Sequence, residues 1–151
     1  MKQPVASCSE VILQVPVYSQ LGNLAFALRR EVFMLEQGVP HADEYDDKDR
    51  DCSHLVTVLE GEVVATLRIQ WLAEHAKIGR FAVRGSLRNR GIGSRLFSGA
   101  LDVIKRNGCE RMALEAQLDR IAFYERFGFH AYGEDYWDAG ILHRRMKNYS
   151  D

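Results

Sequence analysis

A seven-residue stretch in the middle of the chain constrains the fold more than any other, and it reads Arg88-Asn89-Arg90-Gly91-Ile92-Gly93-Ser94. It follows an apolar run, residues 78–83, and precedes a run with the apolar spacing of a helix. Two glycines let the backbone turn tightly and approach a ligand closely. The N–H groups of a first helical turn have no partner inside the helix, and the helix dipole adds partial positive charge there. The stretch therefore predicts an anion-binding turn between a strand and a helix.

Three known phosphate-binding patterns compete for this turn, and their spacing distinguishes them. A Walker loop needs a lysine directly after its last glycine, and this stretch has none. A dinucleotide-binding turn needs a third glycine, where this chain has Leu96. The third pattern, Arg/Gln-x-x-Gly-x-Gly/Ala, matches Arg88-x-x-Gly91-x-Gly93. On this motif the chain resembles the GNAT superfamily of acyl-CoA N-acyltransferases, in which the turn binds a pyrophosphate. A glycine-rich turn that merely starts a helix is the alternative for the motif taken alone.

Composition indicates one ordinary domain over residues 1–151, with 46% hydrophobic and 27% charged residues. The net charge of −1 hides two local patches. Residues 77–111 hold nine basic residues against two acids, which suits a polyanionic ligand. Residues 43–51 hold six acids, which indicates either a solvated loop or a surface that attracts a cation.

Cysteine and histidine spacing argues against metal sites and structural disulfides. Cys8, Cys52 and Cys109 are far apart and include no Cys-x-x-Cys pair. We therefore expect neither a disulfide framework nor a zinc site, and a reducing cytoplasm as the setting. The five histidines lack any metal-ligand spacing, and no apolar run is long enough to cross a bilayer. The prediction is no metal and no membrane.

The first helix is the clearest periodic element. Ser19 is available as its N-cap, and Gly38 and Pro40 end it before the acidic loop. Its apolar residues recur every three or four positions and predict one stripe against the core. The stripe comprises Leu21, Leu24, Ala25, Leu28, Val32 and Leu35.

The remaining chain alternates strand and helix patterns into an α+β domain with one mixed, mostly antiparallel sheet. A hairpin closes near Glu60-Gly61, and Asn107-Gly108 ends the helix that follows the phosphate turn. The long crossover through that helix allows parallel pairing of the next strand. The predicted strands are residues 10–15, 54–59, 62–71, 77–83, 111–117, 130–136 and 141–147, and a short helix covers residues 120–127.

A second motif follows the phosphate turn by about thirty residues. Residues 117–129 contain the pattern aromatic-Tyr-x-x-x-Gly-Phe, which is similar to the second GNAT signature and puts Tyr124 at the position of the family's tyrosine. Residues 30–40 and 138–143 look like a compact bacterial branch often labelled ElaA-like. The chain departs from the superfamily at Gln117, where many members carry asparagine, and at residues 85–86, where a proline is common.

The resemblance implies the GNAT fold, with strands 4 and 5 of the sheet splayed and helices flanking it. It also implies that acetyl-CoA lies between the strand that ends at Val83 and the strand that ends near Gln117. The implied contacts are the backbone of strand 4, the phosphate turn and the second motif. They comprise Phe81, Ala82, Val83, Arg88, Asn89, Arg90, Gly91, Ile92, Gly93, Ser94, Gln117, Phe123 and Tyr124.

The chemistry implied by the family is direct attack of a neutral amine on the thioester, without a metal or a covalent enzyme intermediate. Tyr124 would give the leaving thiolate a proton or a hydrogen bond, and plain aromatic packing is the alternative role for its ring. The base that deprotonates the amine stays open between four residues. They are Glu31, Glu36, Glu115 and His143.

The functional prediction is an acetyl-CoA-dependent N-acetyltransferase acting on a primary amine of a small molecule or a protein. The alternative is a non-catalytic acyl-CoA-binding sensor or partner domain. A nucleic-acid surface is disfavoured because the arginines cluster at one turn instead of along an exposed face. A homodimer is one option for the assembly.

Overall fold

The computed structural model describes residues 9–151, so Cys8 lies outside the described residues. Seven strands and four helices follow one another along this part of the chain. In chain order they are β1 (Glu10–Val15), α1 (Gln20–Arg29), α2 (His41–Glu44), β2 (Cys52–Leu59), β3 (Glu62–Trp71), β4 (Ala76–Val83), α3 (Ile92–Arg106), β5 (Met112–Gln117), α4 (Ile121–Glu125), β6 (His130–Asp138) and β7 (Ile141–Lys147).

The strands form one sheet in the order β1-β2-β3-β4-β5-β7-β6. Strands β1 to β4 pair antiparallel in chain order. Short turns join β2 to β3 and β3 to β4, whereas α1 and α2 lie between β1 and β2. Glu60 and Gly61 both take positive φ, 51° and 79°, which is the geometry of a tight two-residue hairpin turn. Helix α3 carries the chain across the sheet, and β5 therefore pairs with β4 in parallel. The α+β class and the mixed, mostly antiparallel sheet are as the sequence predicts.

Helices cover both faces of the sheet. On one face, α3 buries Leu96, Phe97, Ala100 and Ile104 among the side chains of the central strands. On the other face, α1 and the turn that continues it pack against β2, β3 and β4. The phosphate turn lies at the start of α3, so this helix fixes it to the core.

The first helix does not keep the single stripe that its spacing predicts. Ser19 caps α1 as expected, accepting a hydrogen bond from the Gly22 N–H at 3.0 Å. After Arg29, however, the chain continues as a π-helical segment, Arg30–Glu36. The wider π turn shifts the phase of the side chains, so Leu35 is 71% exposed where the periodicity predicts burial. Leu24 is also exposed, while Ala25, Leu28 and Val32 are buried.

Other differences from the predicted elements are small. The acidic loop contains the short helix α2 and a 3₁₀ turn, Asp49–Asp51, instead of plain coil. The helix predicted over residues 120–127 is shorter, because a 3₁₀ turn, Leu118–Arg120, precedes it. Strand β6 runs two residues beyond the predicted end.

Candidate active site

A cleft opens where β4 and β5 part. The two strands pair only over three positions, Ala76 to Ile78 with Met112 to Leu114. Beyond them β4 continues along β3 while β5 continues along β7, so the carboxyl ends of β4 and β5 splay apart. The resulting cavity has a volume of about 780 Å³. The splayed strands predicted from the family resemblance are therefore present, and they enclose a space large enough for a ligand.

The phosphate turn borders this cleft with unpaired backbone N–H groups. Asn89 and Gly91 take left-handed φ values of 64° and 79°, which turns the chain sharply into α3. From Asn89 to Ser94, none of the N–H groups has a hydrogen-bond acceptor among residues 9–151. A run of free amides at a helix N-terminus fits a diphosphate. The cofactor-binding role of these residues stays a prediction, and the free amides are the groups that it requires.

Gly93 lets this turn lie directly on β4. A Cβ at this position would stand 3.3 Å from Val83 Cγ2 and 3.4 Å from Phe81 Cζ. A side chain at this position would therefore require its neighbours on β4 to shift by a few tenths of an ångström. Because Gly93 has ordinary φ, close packing and not backbone strain explains the glycine here.

The free edge of β4 faces the gap with alternate residues. The Arg84 N–H donates to the Val64 carbonyl of β3 at 2.9 Å, and Ala82 stands opposite Thr66 in register. Because peptide groups alternate along a strand, Ala82 uses its backbone groups on β3, whereas Phe81 and Val83 direct theirs into the gap. Three residues are expected to pair with the pantetheine arm. Of these, Phe81 and Val83 have backbone groups that point into the gap.

The Arg88 side chain joins the phosphate turn to the π-helical segment and to β4. Its guanidinium makes a two-pronged ion pair with Glu36 at the end of the π-helical segment, with Nη2 donating to Oε2 at 2.8 Å. Its Nε donates to the Val83 carbonyl at 3.1 Å. A phosphate contact by Arg88 stays a prediction and requires the side chain to leave Glu36. Arg90 has no ion-pair partner among the described residues and is the guanidinium of this turn that remains open for phosphate.

Tyr124 reaches the same cleft from α4. Its ring packs edge-on against Phe97 and Phe123, with centroids 5.3 and 5.1 Å apart, and this cluster fixes α4 to α3. The hydroxyl has no hydrogen-bond partner within residues 9–151, although the residue lines the cleft. Burial raises the pKa of Tyr124 to about 12, so the phenol is protonated at physiological pH. The hydroxyl can therefore donate a hydrogen bond there.

Gln117 ends β5 and bridges to the first helix. Its Nε2 donates to Oε1 of Gln37 at 3.1 Å, just beyond the π-helical segment. Both side chains line the cleft, and each retains unused amide groups. π-helical turns are frequent at functional sites, and this one brings Gln37 over the gap between the splayed strands.

The acidic candidates for the general base are committed to ion pairs. Glu31 is half exposed, with an oxygen 3.7 Å from Arg84 Nε. The hydrogen bond from Arg88 lowers the pKa of Glu36. Burial acts to raise the pKa of Glu115, but the attraction and hydrogen bond of Lys77 outweigh it and the net shift is downward. A lowered pKa makes a carboxylate a weaker base.

His143 lines the cleft, as Glu115 does, but it forms no ion pair with a residue of the described chain. It lies on β7 directly opposite Gln117. Its Nδ1 is 2.8 Å from the Ile141 carbonyl oxygen, which fixes the orientation of the ring.

A charge network that extends from the wall of the cleft into the core was not predicted. Arg29 pairs with Glu44 at 2.6 Å and with Asp49 at 2.7 Å, and Arg68 pairs with Asp46 at 2.6 Å. Arg80, at a bulge in β4 with φ of 50°, joins the same acids. Three acids of the acidic loop therefore neutralise internal arginines, so the loop is a poorer attractor for a cation than its composition indicates. Sequence spacing holds no signal for this pairing, because the partners are 15 to 36 residues apart.

The described part of the chain contains neither a metal-binding cluster nor a membrane-spanning helix. Within residues 9–151, no group of three His, Cys, Asp or Glu side chains is placed to hold a metal ion. None of the helices in that range is long and apolar enough to span a bilayer.

Comparison with known proteins matches this geometry. A sequence profile described as the Acetyltransferase (GNAT) family matches residues 24–129. An uncharacterized N-acetyltransferase of Bacillus subtilis (strain 168) is 32% identical over 124 residues, covering 81% of this chain and 88% of the relative. Escherichia coli ElaA superposes with a TM-score of 0.82 at 28% identity, covering 95% of this chain and 100% of that one. An acyl-CoA N-acyltransferase from Pseudomonas aeruginosa gives a TM-score of 0.82 at 29% identity over the same shares of the two chains.

Proposed function

The chain belongs to the GNAT family of acetyltransferases, and from that premise we propose that it is an acetyl-CoA-dependent N-acetyltransferase acting on a primary amine of a small molecule or a protein. One observation carries the proposal: a single cleft joins the unpaired amides of the phosphate turn to the free hydroxyl of Tyr124. Bound acetyl-CoA would supply a thioester that an amine attacks, with a thiolate as the leaving group. The Pseudomonas aeruginosa relative is named for such acyl-CoA chemistry.

The turn and the edge of β4 would hold the cofactor mainly through backbone groups. Amides from Asn89 to Ser94 would bind its diphosphate, and Arg90 would add a charged donor. Phe81 and Val83 would pair with the amide-bearing arm as an added strand does. Each hydrogen bond to a charged group is worth about 1.5 to 3 kcal/mol, so a few suffice to anchor the ligand.

Tyr124 would stabilise the charge that develops on the leaving sulfur. Its pKa of about 12 lies above the reference value of a thiol, about 8.5. The phenol is therefore the weaker acid, and its main contribution is a hydrogen bond that persists at every physiological pH. Full proton transfer from its oxygen would be uphill.

The pairing of the basic residues supports a small anionic ligand over a nucleic acid. Within the basic patch of residues 77–111, five of the nine basic side chains pair with acids of the same chain. An electrostatic surface for nucleic acid needs unpaired charges along one face. The five paired residues are Lys77, Arg80, Arg84, Arg88 and Arg95.

The thiols of Cys52 and Cys109 are both free, in keeping with a cytoplasmic setting.

A paired experiment tests the proposal. Calorimetric titration with CoA measures binding, and a panel of amines with acetyl-CoA is assayed for release of free thiol. We expect saturable CoA binding and thiol release that depends on one class of amine. Binding without amine-dependent release from any acceptor would instead indicate the non-catalytic acyl-CoA-binding domain. Absence of CoA binding would refute both.

A further inference from the structure

We propose that His143 is the general base that takes the proton from the acceptor amine, and this assignment rests on the proposed acetyltransferase function. The sequence leaves four candidates open, and the structure separates them. The separation depends on hydrogen bonding and on position in the sheet.

His143 borders the cleft that contains the predicted reaction centre. It stands opposite Gln117 in the β5–β7 register, and residues opposite each other in an antiparallel pair share a face. Gln117 bridges to Gln37 on that face, which is the side of the sheet covered by the first helix. Both His143 and Tyr124 line the one cleft, so the proposed base and the donor to the leaving group border the same space.

The hydrogen bond of Nδ1 decides which nitrogen of His143 is free. The Ile141 carbonyl oxygen, 2.8 Å away, can only accept a hydrogen bond. Nδ1 must therefore carry the proton in the neutral ring, and the lone pair lies on Nε2. Nε2 has no hydrogen-bond partner among residues 9–151, and it is not among the fully buried polar atoms. The ring is further held by stacking on Tyr136, with centroids 5.9 Å apart.

The three carboxylates are less suited to the role. Glu36 and Glu115 are each paired with a cation that lowers the carboxyl pKa. Glu31 pairs with Arg84 and is not among the residues lining the cleft. His143 therefore offers the unpaired basic atom of the four candidates.

Acidic and cationic side chains both lie on the elements packed around His143. The Tyr136 pKa is raised by burial and by the charge of Glu115, so this phenol stays neutral. The titratable and charged groups on the elements packed around His143 are Glu115, Asp119, Tyr136 and Asp138, with Lys77, Arg80, Arg120 and Arg145 as the cations.

The proton balance of the step is complete with these groups. The amine nitrogen forms a bond to the acyl carbon, and the carbon–sulfur bond breaks with its electron pair going to sulfur. The proton lost by the nitrogen goes to Nε2 of His143, which becomes an imidazolium and later returns the proton to solvent. The Tyr124 hydroxyl donates a hydrogen bond to the sulfur and keeps its own proton.

The first test compares His143→Gln with His130→Gln. His130 is exposed at the start of β6, outside the cleft, and is a matched control for the loss of an imidazole. We expect His143→Gln to lower kcat by about 10² to 10⁴, the usual range for a general base, with CoA affinity unchanged. The kcat/KM profile of His143→Gln should lose the acid limb that the wild-type protein shows, because a general base acts only in its unprotonated form. Added imidazole should partly restore turnover in His143→Ala.

The second test does not depend on activity. Nitrogen NMR of the histidine rings in the wild-type protein shows which nitrogen carries the proton in neutral His143. We expect protonated Nδ1 and unprotonated Nε2, and a shift of the Nε2 signal when CoA binds. Protonation at Nε2 would overturn the assignment even if no amine were acetylated. Wild-type turnover and an unchanged acid limb in His143→Gln would overturn it while leaving the acetyltransferase function standing.

Discussion

At the scale of single residues, the Tyr124 hydroxyl should matter for turnover and not for cofactor affinity. Tyr124→Phe removes the free donor but keeps the ring that packs on Phe97 and Phe123. We expect kcat to fall about 10²-fold or more, with the CoA dissociation constant changed less than about threefold. Because the pKa of Tyr124 is about 12, the wild-type rate should show no loss from this group below about pH 11.

The matched control for that variant is Tyr18→Phe, since Tyr18 is 79% exposed and lies outside the cleft. Initial rates of thiol release and calorimetry on the same preparations separate the two effects. Equal turnover in Tyr124→Phe would leave the tyrosine with a packing role only.

Gly91 should control cofactor affinity through the shape of the turn. A Cβ on this residue would lie 2.6 Å from Arg95 Nη1, and its φ of 79° disfavours any side chain. Gly91→Ala should weaken CoA binding at least tenfold, because the loss of one charge-assisted hydrogen bond costs about 1.5 kcal/mol or more. Calorimetric titration measures the change.

Gly108→Ala provides the control for backbone strain. Gly108 has φ of 81° at the other end of α3, and a Cβ there meets nothing within 4 Å. Both variants should lose about 1 to 2 kcal/mol of stability from the left-handed conformation. CoA affinity should fall in Gly91→Ala alone; an equal fall in both variants would trace the effect to loss of stability instead of the turn.

At the scale of elements, the Arg88–Glu36 pair joins the first helix to the phosphate turn. If Arg88 leaves Glu36 to bind phosphate, the ion pair competes with the cofactor. An exposed pair of this kind is worth up to about 1 kcal/mol, so Glu36→Gln should tighten CoA binding by at most about fivefold. Weaker binding in this variant would mean that the ion pair maintains the shape of the turn and that Arg88 remains paired with Glu36 when CoA is bound.

Glu62→Gln is the control for removing an acidic partner from an arginine. Glu62 pairs with Arg84 at 2.8 Å and does not line the cleft. Its substitution should leave CoA affinity unchanged. Titrations at two salt concentrations add a further check, since the effect of an exposed ion pair should diminish as salt rises.

The sequence predicts the elements of the site better than the contacts between them. The tight turn at Gly91, the cap at Ser19 and the GNAT fold depend on local chemistry or on motif spacing, and all are confirmed. The ElaA-like resemblance is likewise matched by a solved structure over nearly the whole chain. The predicted apolar stripe of the first helix is wrong at Leu24 and Leu35. At Leu35 the π-helical segment shifts the phase of the side chains, and the spacing of apolar residues holds no signal for it.

At the scale of the whole molecule, the charge network could not be predicted because its partners come from distant segments. Arg29 lies on α1, Arg68 on β3 and Arg80 on β4, and they meet acids of a loop that composition alone describes as solvated. The network couples the loop that borders the cleft to the centre of the sheet. Removal of one buried member would leave its partner uncompensated, which is the costly way to break such a pair.

This network should also make stability depend on pH on the acid side. Arg68 hydrogen bonds hold the pKa of the Asp46 carboxyl well below its usual range. Because that pKa is lower in the folded state, the carboxylate contributes stability that is present above its unfolded pKa of about 3.9 and is lost as pH falls toward the folded value. Glu44 acts in the opposite sense, since burial outweighs its arginine partners and raises its pKa. The carboxyl of Asp49 shifts downward like that of Asp46.

Asp46→Asn isolates the contribution of this carboxylate. We expect a loss of about 1.5 to 3 kcal/mol in the free energy of unfolding at pH 7, the worth of a hydrogen bond to a charged group. The difference from wild type should shrink below about pH 4, where the wild-type carboxyl also becomes protonated in the unfolded chain. Urea unfolding at pH 7, 5 and 3 measures both trends.

Asp43→Asn, in the same loop but without an ion pair, should change stability by less than about 0.5 kcal/mol at every pH. A loss in Asp46→Asn that stays constant down to pH 3 would show that the side chain stabilises the fold by packing, and that its charge contributes nothing.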